Sequence, residues 1–245
     1  MSWLSIGLLA GTYALGARAG AGVVADEVTM LMTPWAGARW GDAAVAIQAP
    51  LRVSFAEGRL RDRDWDEGAD FGRLLRFARY GDFVRVGQVV DLTLGQGTLV
   101  RRYHNGVDDD HHRLGALVAG TIGPLGVEIF ADQVFAAPVG GARAQWTFDA
   151  PFTVGATFAG DFAAPVTLSG GVDDTGRPRG RRDFFGGGGL DVAWHLLDDP
   201  DGRLDLYGVG QVLDSARFGA HLGFAGTARP GPDWRLEGRL EGIAL

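Results

Sequence analysis

"DWRLEGRLEGIAL", residues 233–245, decides the fold reading. Taken two residues at a time, Trp234, Leu236, Gly238, Leu240, Gly242 and Ala244 fall on one side, and Arg235, Glu237, Arg239 and Glu241 on the other. A period of two marks a β-strand, whose successive side chains point to opposite faces. Hydrocarbon on one face and four charges on the other leave two solutions. Either the apolar face covers a soluble core, or it faces lipid while the charges line an enclosed interior.

The pattern recurs along the chain, and helical periodicity is scarce. In 43–55, Val45, Ile47, Leu51, Val53 and Phe55 oppose Gln48, Arg52 and Ser54; in 82–94, Val84, Val86, Val90, Leu92 and Leu94 oppose Arg85, Asp91 and Thr93, with Gln88 out of place on the apolar side. Val127, Ile129 and Ala131 oppose Glu128 and Asp132; Ala142, Ala144, Trp146 and Phe148 oppose Arg143, Gln145 and Thr147; Phe152, Val154, Ala156 and Phe158 oppose Thr153, Thr157 and Asp161. Leu190, Val192, Trp194 and Leu196 oppose Asp191 and His195; Leu204, Leu206 and Val212 oppose Arg203, Asp205, Tyr207 and Gln211; Phe218, Ala220, Leu222 and Phe224 oppose Arg217, His221 and Thr227. The segment 112–122 is apolar on both faces. Strands of this length match the about 9–11 residues of a membrane-barrel strand better than the globular mode of about 5–6.

The connections alternate in length. Turns near 40–42, 80–82, 122–125, 148–151, 198–202 and 229–233 are tight and rich in Gly, Pro or Asp. Between them lie longer polar segments at about 16–26, 56–72, 95–112 and 163–186, with short exceptions near 136–140 and 214–217. Short turns at one rim and long loops at the other are the habit of outer-membrane barrels. Trp40, Tyr80, Trp146, Phe148, Phe152 and Trp234 sit beside the short turns, where an aromatic girdle belongs. Pro34 and Pro50 fall in adjacent strands and point to a bulge.

Composition agrees. The 245 residues are 46% hydrophobic and 22% charged, with 40 glycines against a usual share of about 7%. A net charge of −7 and the lack of a basic stripe exclude general nucleic-acid binding. With no Cys there is no thiolate metal site, disulfide or cysteine catalysis. The opening stretch, "MSWLSIGLLAGTYALGARA", reads as a first strand over 3–15 rather than as a signal peptide, because no Lys or Arg precedes its apolar run; Ala17-Arg18-Ala19 is nonetheless the small-residue triplet of a cleavage site.

Charge cost sets the orientation. A Lys or Arg on the lipid face near mid-membrane costs about 2–4 kcal/mol. The polar face is therefore the lumen, lined by Arg52, Arg85, Asp91, Glu128, Asp132, Arg143, Asp161, Asp191, His195, Arg203, Asp205, Arg217, His221, Arg235, Glu237, Arg239 and Glu241. The expected fold is all-β: one antiparallel transmembrane β-barrel of about 12–14 strands, spanning residues 1–245 from about residue 3. The strand count comes to about thirteen and the last strand lacks a terminal aromatic residue. Either the chain stops short of its natural C-terminus, or the count is off by one, since bacterial single-chain barrels have even numbers.

Two central segments, "DRDWDEGADF" (62–71) and "LGQGTLVRRYHNGVDDDHH" (94–112), resemble stretches of uncharacterised outer-membrane proteins of myxobacterial type. The likeness covers roughly residues 26–145. It implies a Gram-negative outer-membrane location, with lipid and lipopolysaccharide as neighbours, and brings no reaction, substrate or cofactor.

Chemistry-bearing motifs are few. Asp108, Asp110, His111 and His112, beside His104 and Asp109, offer carboxylate and imidazole to a divalent cation, but without EF-hand spacing; a solvated loop is the plainer reading. The acids Asp62, Asp64, Asp66, Glu67 and Asp70 read as exposed loop charge. Arg177, Arg179, Arg181 and Arg182 form a basic patch, and Gly186–Gly189 reads as a hinge. No serine, Ser54, Ser169 or Ser215 included, sits in a recognisable catalytic setting. The expected function is a passive, porin-like channel or transporter for small solutes, not an enzyme. A non-conducting scaffold, an outer-membrane hydrolase and a soluble all-β domain stand as alternatives.

Overall fold

The computed structural model describes residues 4–10, 12–24, 27–66, 68–106, 113–135, 138–165, 167, 171, 180–214, 217–231 and 234–244. The protein is all-β. Its strands are β1 (Leu4–Ala10), β2 (Tyr13–Val24), β3 (Glu27–Trp40), β4 (Ala43–Gln48), β5 (Leu51–Ser54), β6 (Leu75–Tyr80), β7 (Val84–Gly87), β8 (Gly115–Ile122), β9 (Leu125–Ala131), β10 (Val139–Thr147), β11 (Phe152–Pro165), β12 (Arg182–Asp199), β13 (Gly202–Leu213), β14 (Arg217–Gly231) and β15 (Trp234–Ala244). All belong to one antiparallel sheet in which fourteen strands follow each other in chain order, while β5 pairs with β3 beside β4. Two short 3-10 segments, Asp62–Asp64 and Gly68–Leu74, lie between β5 and β6.

Polarity across this sheet is the reverse of a soluble protein's. One face is bare and apolar: Leu190 is 67% exposed, Leu222 65%, Phe218 72% and Leu240 74%. Register places them beside further hydrocarbon, such as Val192 opposite Val154 and Leu206 opposite Phe224. The other face is covered, and much of what it buries is polar, including Thr29, Arg52, Asp132, Arg143, Asp191, Asp205 and Gln211.

Two segments lie against the covered face. The first, 55–74, carries Arg61, Asp64, Asp70 and Arg73 into burial beside Arg52. The second is 88–106. It leaves the sheet at Gly87, whose φ of +134 suits glycine and whose Cβ position lies 2.6 Å from the Arg76 carbonyl oxygen. It then folds back as an inserted hairpin. Leu92 and Tyr103 exchange backbone hydrogen bonds of 3.1 and 2.8 Å, and the Leu94 N–H donates to Val100 at 3.1 Å. The hairpin buries Val89, Leu92, Leu94 and Val100 against Phe130 of β9, with Leu117, Val139 and Ala159 around them.

This insertion corrects the expected strand over 82–94: β7 stops at Gly87, Asp91 and Thr93 lie on the hairpin, and Gln88 never occupies a strand position. It also explains why 112–122 is apolar on both faces, since Leu117 meets the hairpin while Val118 sits on the bare side. The segment expected as a rim loop from 95 onward is, as far as Gly106, folded against the sheet rather than standing outside it.

The expected strand over 3–15 is two strands, and the expected loop over 16–26 is mostly β2, so Ala17-Arg18-Ala19 lies mid-strand. That extra strand raises the count to the even number, fourteen. β11 continues to Pro165 and β12 begins at Arg182, which narrows the 163–186 loop. Gly186–Gly189 is strand, not hinge, because register sets it against Thr157–Gly160. The prolines mark a lapse rather than a bulge. Trp35 pairs with Gln48 and Met32 with Leu51, an unchanged register with no extra residue; Ala49 still donates to the Pro34 carbonyl at 2.9 Å.

The glycine excess follows from packing. Trp35 lies over Gly16, its partner on β2, and Tyr207 over Gly223, its partner on β14; a Cβ at either glycine would come within 2.6 Å of the ring or its hydroxyl. Large side chains on the crowded covered face fit because the neighbouring strand offers bare backbone.

The expected closed barrel is not completed: among the described residues β1 and β15 do not pair, so each leaves one edge without a ladder partner.

Asn105 pins the base of the hairpin. Its Oδ1 accepts from the Val89 N–H at 2.9 Å, and its Nδ2 donates to the carbonyls of Arg113 (3.0 Å) and Asp132 (2.8 Å). Asn105→Ala leaves buried backbone groups unpaired and is expected to cost about 1–3 kcal/mol. Limited trypsin digestion of the folded protein should then cut faster at Arg101 or Arg102.

Candidate functional site: the covered face

The covered face gathers most of the residues expected to line an interior. Arg143 on β10 reaches across β11 to Asp191 on β12 as a bidentate pair, with Nη1 at 2.6 Å from Oδ2 and Nη2 at 2.9 Å from Oδ1. Nη1 also donates to the Thr157 hydroxyl at 2.9 Å. The guanidinium crosses β11 over Gly155, at the place a Cβ would fill, and touches Gly95 at the hairpin tip. Gly95 and Gly97 have φ of +55 and +68, the left-handed region that lets the tip turn tightly. Between them, the Gln96 carbonyl accepts from Arg239 of β15. The tip thus joins β10 to β15.

Further ion pairs tie neighbouring strands. His195 Nδ1 lies 2.7 Å from Asp205 Oδ1, and Arg203 Nε donates to the same carboxylate at 2.9 Å. His221 Nδ1 lies 2.8 Å from Glu241, which also accepts from Arg239 at 2.7 Å. Arg239 stacks over the Tyr207 ring, 4.9 Å from its centroid. The expected acid–base alternation within β15 is therefore satisfied partly along the strand and partly across it. The Asp132 carboxylate accepts from Arg113 at 2.9 Å and from the Val139 N–H at 2.9 Å.

The remaining expected positions divide. Glu128 and Asp161 fall on the covered face, where Glu128 faces Arg143 across the β9–β10 pair and Asp161 Oδ1 accepts from the Ala163 N–H at 2.8 Å. Arg85 and Arg217 are exposed on that face, and Glu237 borders the hairpin cavity. Asp91 is corrected: it is not a strand residue but a hairpin one, paired with Arg102 at 3.3 Å. The side chain of Arg235, all of the metal candidates Asp108, Asp110, His111 and His112, and Arg177 and Arg179 lie outside the described residues.

Sequence reading missed a second buried cluster. Asp64, read as exposed loop charge, accepts from Arg52 (3.0 Å) and Arg61 (2.9 Å); Asp70 accepts from Arg73 (2.7 Å), and Arg61 reaches Glu27 at 3.1 Å. The only signal was composition, since the three arginines within 61–73 lie among five acids that can neutralise them. Arg18, Arg39, Arg76 and Arg79 were also missed as covered-face residues.

A cavity of about 540 Å³ separates the hairpin from β13–β15, bordered by Asp91, Arg101, Arg102, Arg203, Asp205 and Arg239. It holds both signs of charge and no aligned nucleophile. Ser54, the buried serine, accepts from the Glu57 N–H and has no histidine partner among the described residues. The arrangement can bind and orient polar solutes or limit their passage. No protein-family model matches the chain and no curated protein is significantly similar to it.

Removing one partner of a buried ion pair strands the other charge, at a cost of about 3–5 kcal/mol. Arg143→Gln and Asp191→Asn should each lower thermal stability by that order, and the double variant should lose less than their sum, as measured by thermal unfolding. A strictly additive double variant would mean that the two side chains act independently.

Tyr103 lies on the inserted hairpin with its ring 5.5 Å from that of Phe130. Burial first, and the negative charge of Asp132 second, push its phenol from 10.0 up to about 12. The folded state thus holds the phenolic proton more tightly than the unfolded chain. Its contribution to stability is complete below about pH 10 and is lost as the pH rises towards about 12. Across that window the unfolding midpoint should fall more steeply for the natural protein than for Tyr103→Phe.

Proposed function

We propose that this protein is an outer-membrane β-barrel that carries small polar solutes passively through a lumen narrowed by the 88–106 hairpin. The observation that carries the reading is the inverted polarity of the sheet. An apolar face this extensive is a surface for lipid or a partner, because monomers in water rarely expose apolar patches beyond a few hundred Å². The buried face, by contrast, is built from ion pairs, hydroxyls and an internal hairpin. No helix among the described residues is long and apolar enough to cross a membrane.

Three further features support it. The number of sequential strands, fourteen, is even. β11 to β15 have 11 to 18 residues, enough to cross the hydrocarbon at a tilt. The tight turns near 41–42, 81–83, 123–124, 148–151 and 200–201 join strand ends at one rim, and the strand ends at Ser54 and Leu75, at Gly87 and Gly115, and at Pro165 and Arg182 lie at the other. In this reading β1 meets β15 to close the barrel, since an unpaired strand edge in hydrocarbon leaves backbone groups unsatisfied at several kcal/mol each.

The hairpin favours one alternative, a non-conducting scaffold whose interior is filled. Reconstitution separates the two. The full chain should partition into detergent, migrate faster on gels when unheated, and give stepwise conductance in planar bilayers that rises when residues 95–101 are replaced by a shorter linker. Silence of both forms at high protein load would favour the scaffold, and solubility without detergent would end the membrane reading.

A further inference from the structure

Ion pairing on the covered face is uneven. Arg52, Arg143, Arg203 and Arg239 each meet a carboxylate at 3.0 Å or closer. Among the described residues no carboxylate pairs with Arg18, Arg39, Arg76, Arg79 or Arg85, and these five sit together. Register sets Arg39 on β3 opposite Ala44 on β4, Ala44 opposite Arg79 on β6, and Arg79 opposite Arg85 on β7. One row across four neighbouring strands therefore carries three arginines, two of them directly opposed. Arg76 stacks over Trp35 at 5.1 Å from the ring centroid, and Arg18 lies on the same face, opposite Thr33 on β3. Arg39 donates to the Gly41 carbonyl, and among the described residues Asp42 and Asp82, in the adjoining turns, form no ion pair with the row.

Like charges directly opposite on paired strands are destabilising. A guanidinium cannot relieve that repulsion by losing its proton. Burial does not enforce the arrangement either: Arg39, Arg79 and Arg85 are exposed, and the floor between them is made of small residues, Ala44 and Ala46. Strands lie about 4.8 Å apart, so Arg39 and Arg79 are rooted about 10 Å apart with only the methyl of Ala44 between them. Such a row matches the oxygens of an anion carrying more than one charge, which each planar fork binds through two parallel hydrogen bonds.

We propose that the covered face of β2–β7 is a binding site for a small multivalent oxyanion, a soluble phosphate or carboxylate compound, built by Arg39, Arg79 and Arg85 with Arg18 and Arg76 beside them. This rests on the reading of that face as a solvent-filled lumen, and it names the solute class the lumen favours. A lipid headgroup is the other source of phosphate, but lipid belongs to the bare face, and the row lies on the opposite one.

The test is calorimetric titration of the detergent-solubilised full chain with inorganic pyrophosphate. Saturable binding is expected, weakened by raised salt and by competing citrate, and unaffected by anionic phospholipid added to the micelles. Arg79→Gln/Arg85→Gln should weaken it about tenfold or more, Arg79→Lys/Arg85→Lys should restore much of it, and Arg59→Gln, an exposed arginine between β5 and β6 that pairs with Glu57, should leave it unchanged. Without anion, the double Gln variant should unfold at the same or a higher temperature, because a repulsion has been removed. Absent saturable binding, equal affinity in the Gln variant, competition by phospholipid but not citrate, or a lowered unfolding temperature would each overturn the site. Conductance is measured separately: a protein that binds pyrophosphate and passes no current loses the channel reading and keeps the site.

Discussion

Every charge on the covered face must be answered from within the protein or by water, because the opposite face offers only hydrocarbon. The Arg143–Asp191 pair shows how tightly this constrains the chain. The two residues sit on strands separated by β11, so the pair forms only because Gly155 leaves the guanidinium a path over the intervening backbone. The same guanidinium seats the tip of the inserted hairpin at Gly95, and the hairpin in turn reaches Arg239 on β15. Remove the pair and the contact between the middle and the end of the sheet loses its anchor.

The two halves of the sheet treat charge differently. From β10 to β15, arginines, histidines and acids interlock, and the hairpin packs beside them. From β2 to β7, buried charge collects in the Arg52–Asp64–Arg61 cluster under 55–74, while the row near the short turns is left cationic. A protein of net charge −7 thus keeps a locally positive strip on its covered face. Averaged charge hides that polarity, and only strand register exposes it.

The period-two pattern was legible because each strand residue has one neighbour on each side and one face. Leu190 and Asp191 must point apart whatever the strand pairs with. Short turns were equally readable, since Gly41, Gly81 and Gly123 take positive φ in them. Where the chain leaves the sheet was not legible. Val90, Leu92 and Leu94 alternate as a strand would, but Leu92 and Leu94 face Phe130 from a hairpin and Val90 is exposed. Alternation reports two faces in different surroundings and does not say which element supplies the surroundings. Arg18 was obscured in the same way, by the flanking Ala17 and Ala19, which are exposed on the other face of β2.

What the sequence by itself determined is the class of structure: strands, antiparallel neighbours joined by tight turns, and two faces of opposite polarity. These follow from local geometry, in which a side chain's direction depends only on its parity. What only the tertiary structure decided is which charges meet. Asp64 became buried rather than solvated, Asp91 left the sheet, Arg143 found Asp191 48 residues away, and Arg79 was set against Arg85 with no acid between them. Ion pairing depends on register and on the path of the inserted segments, and both are settled by packing between residues far apart in the chain.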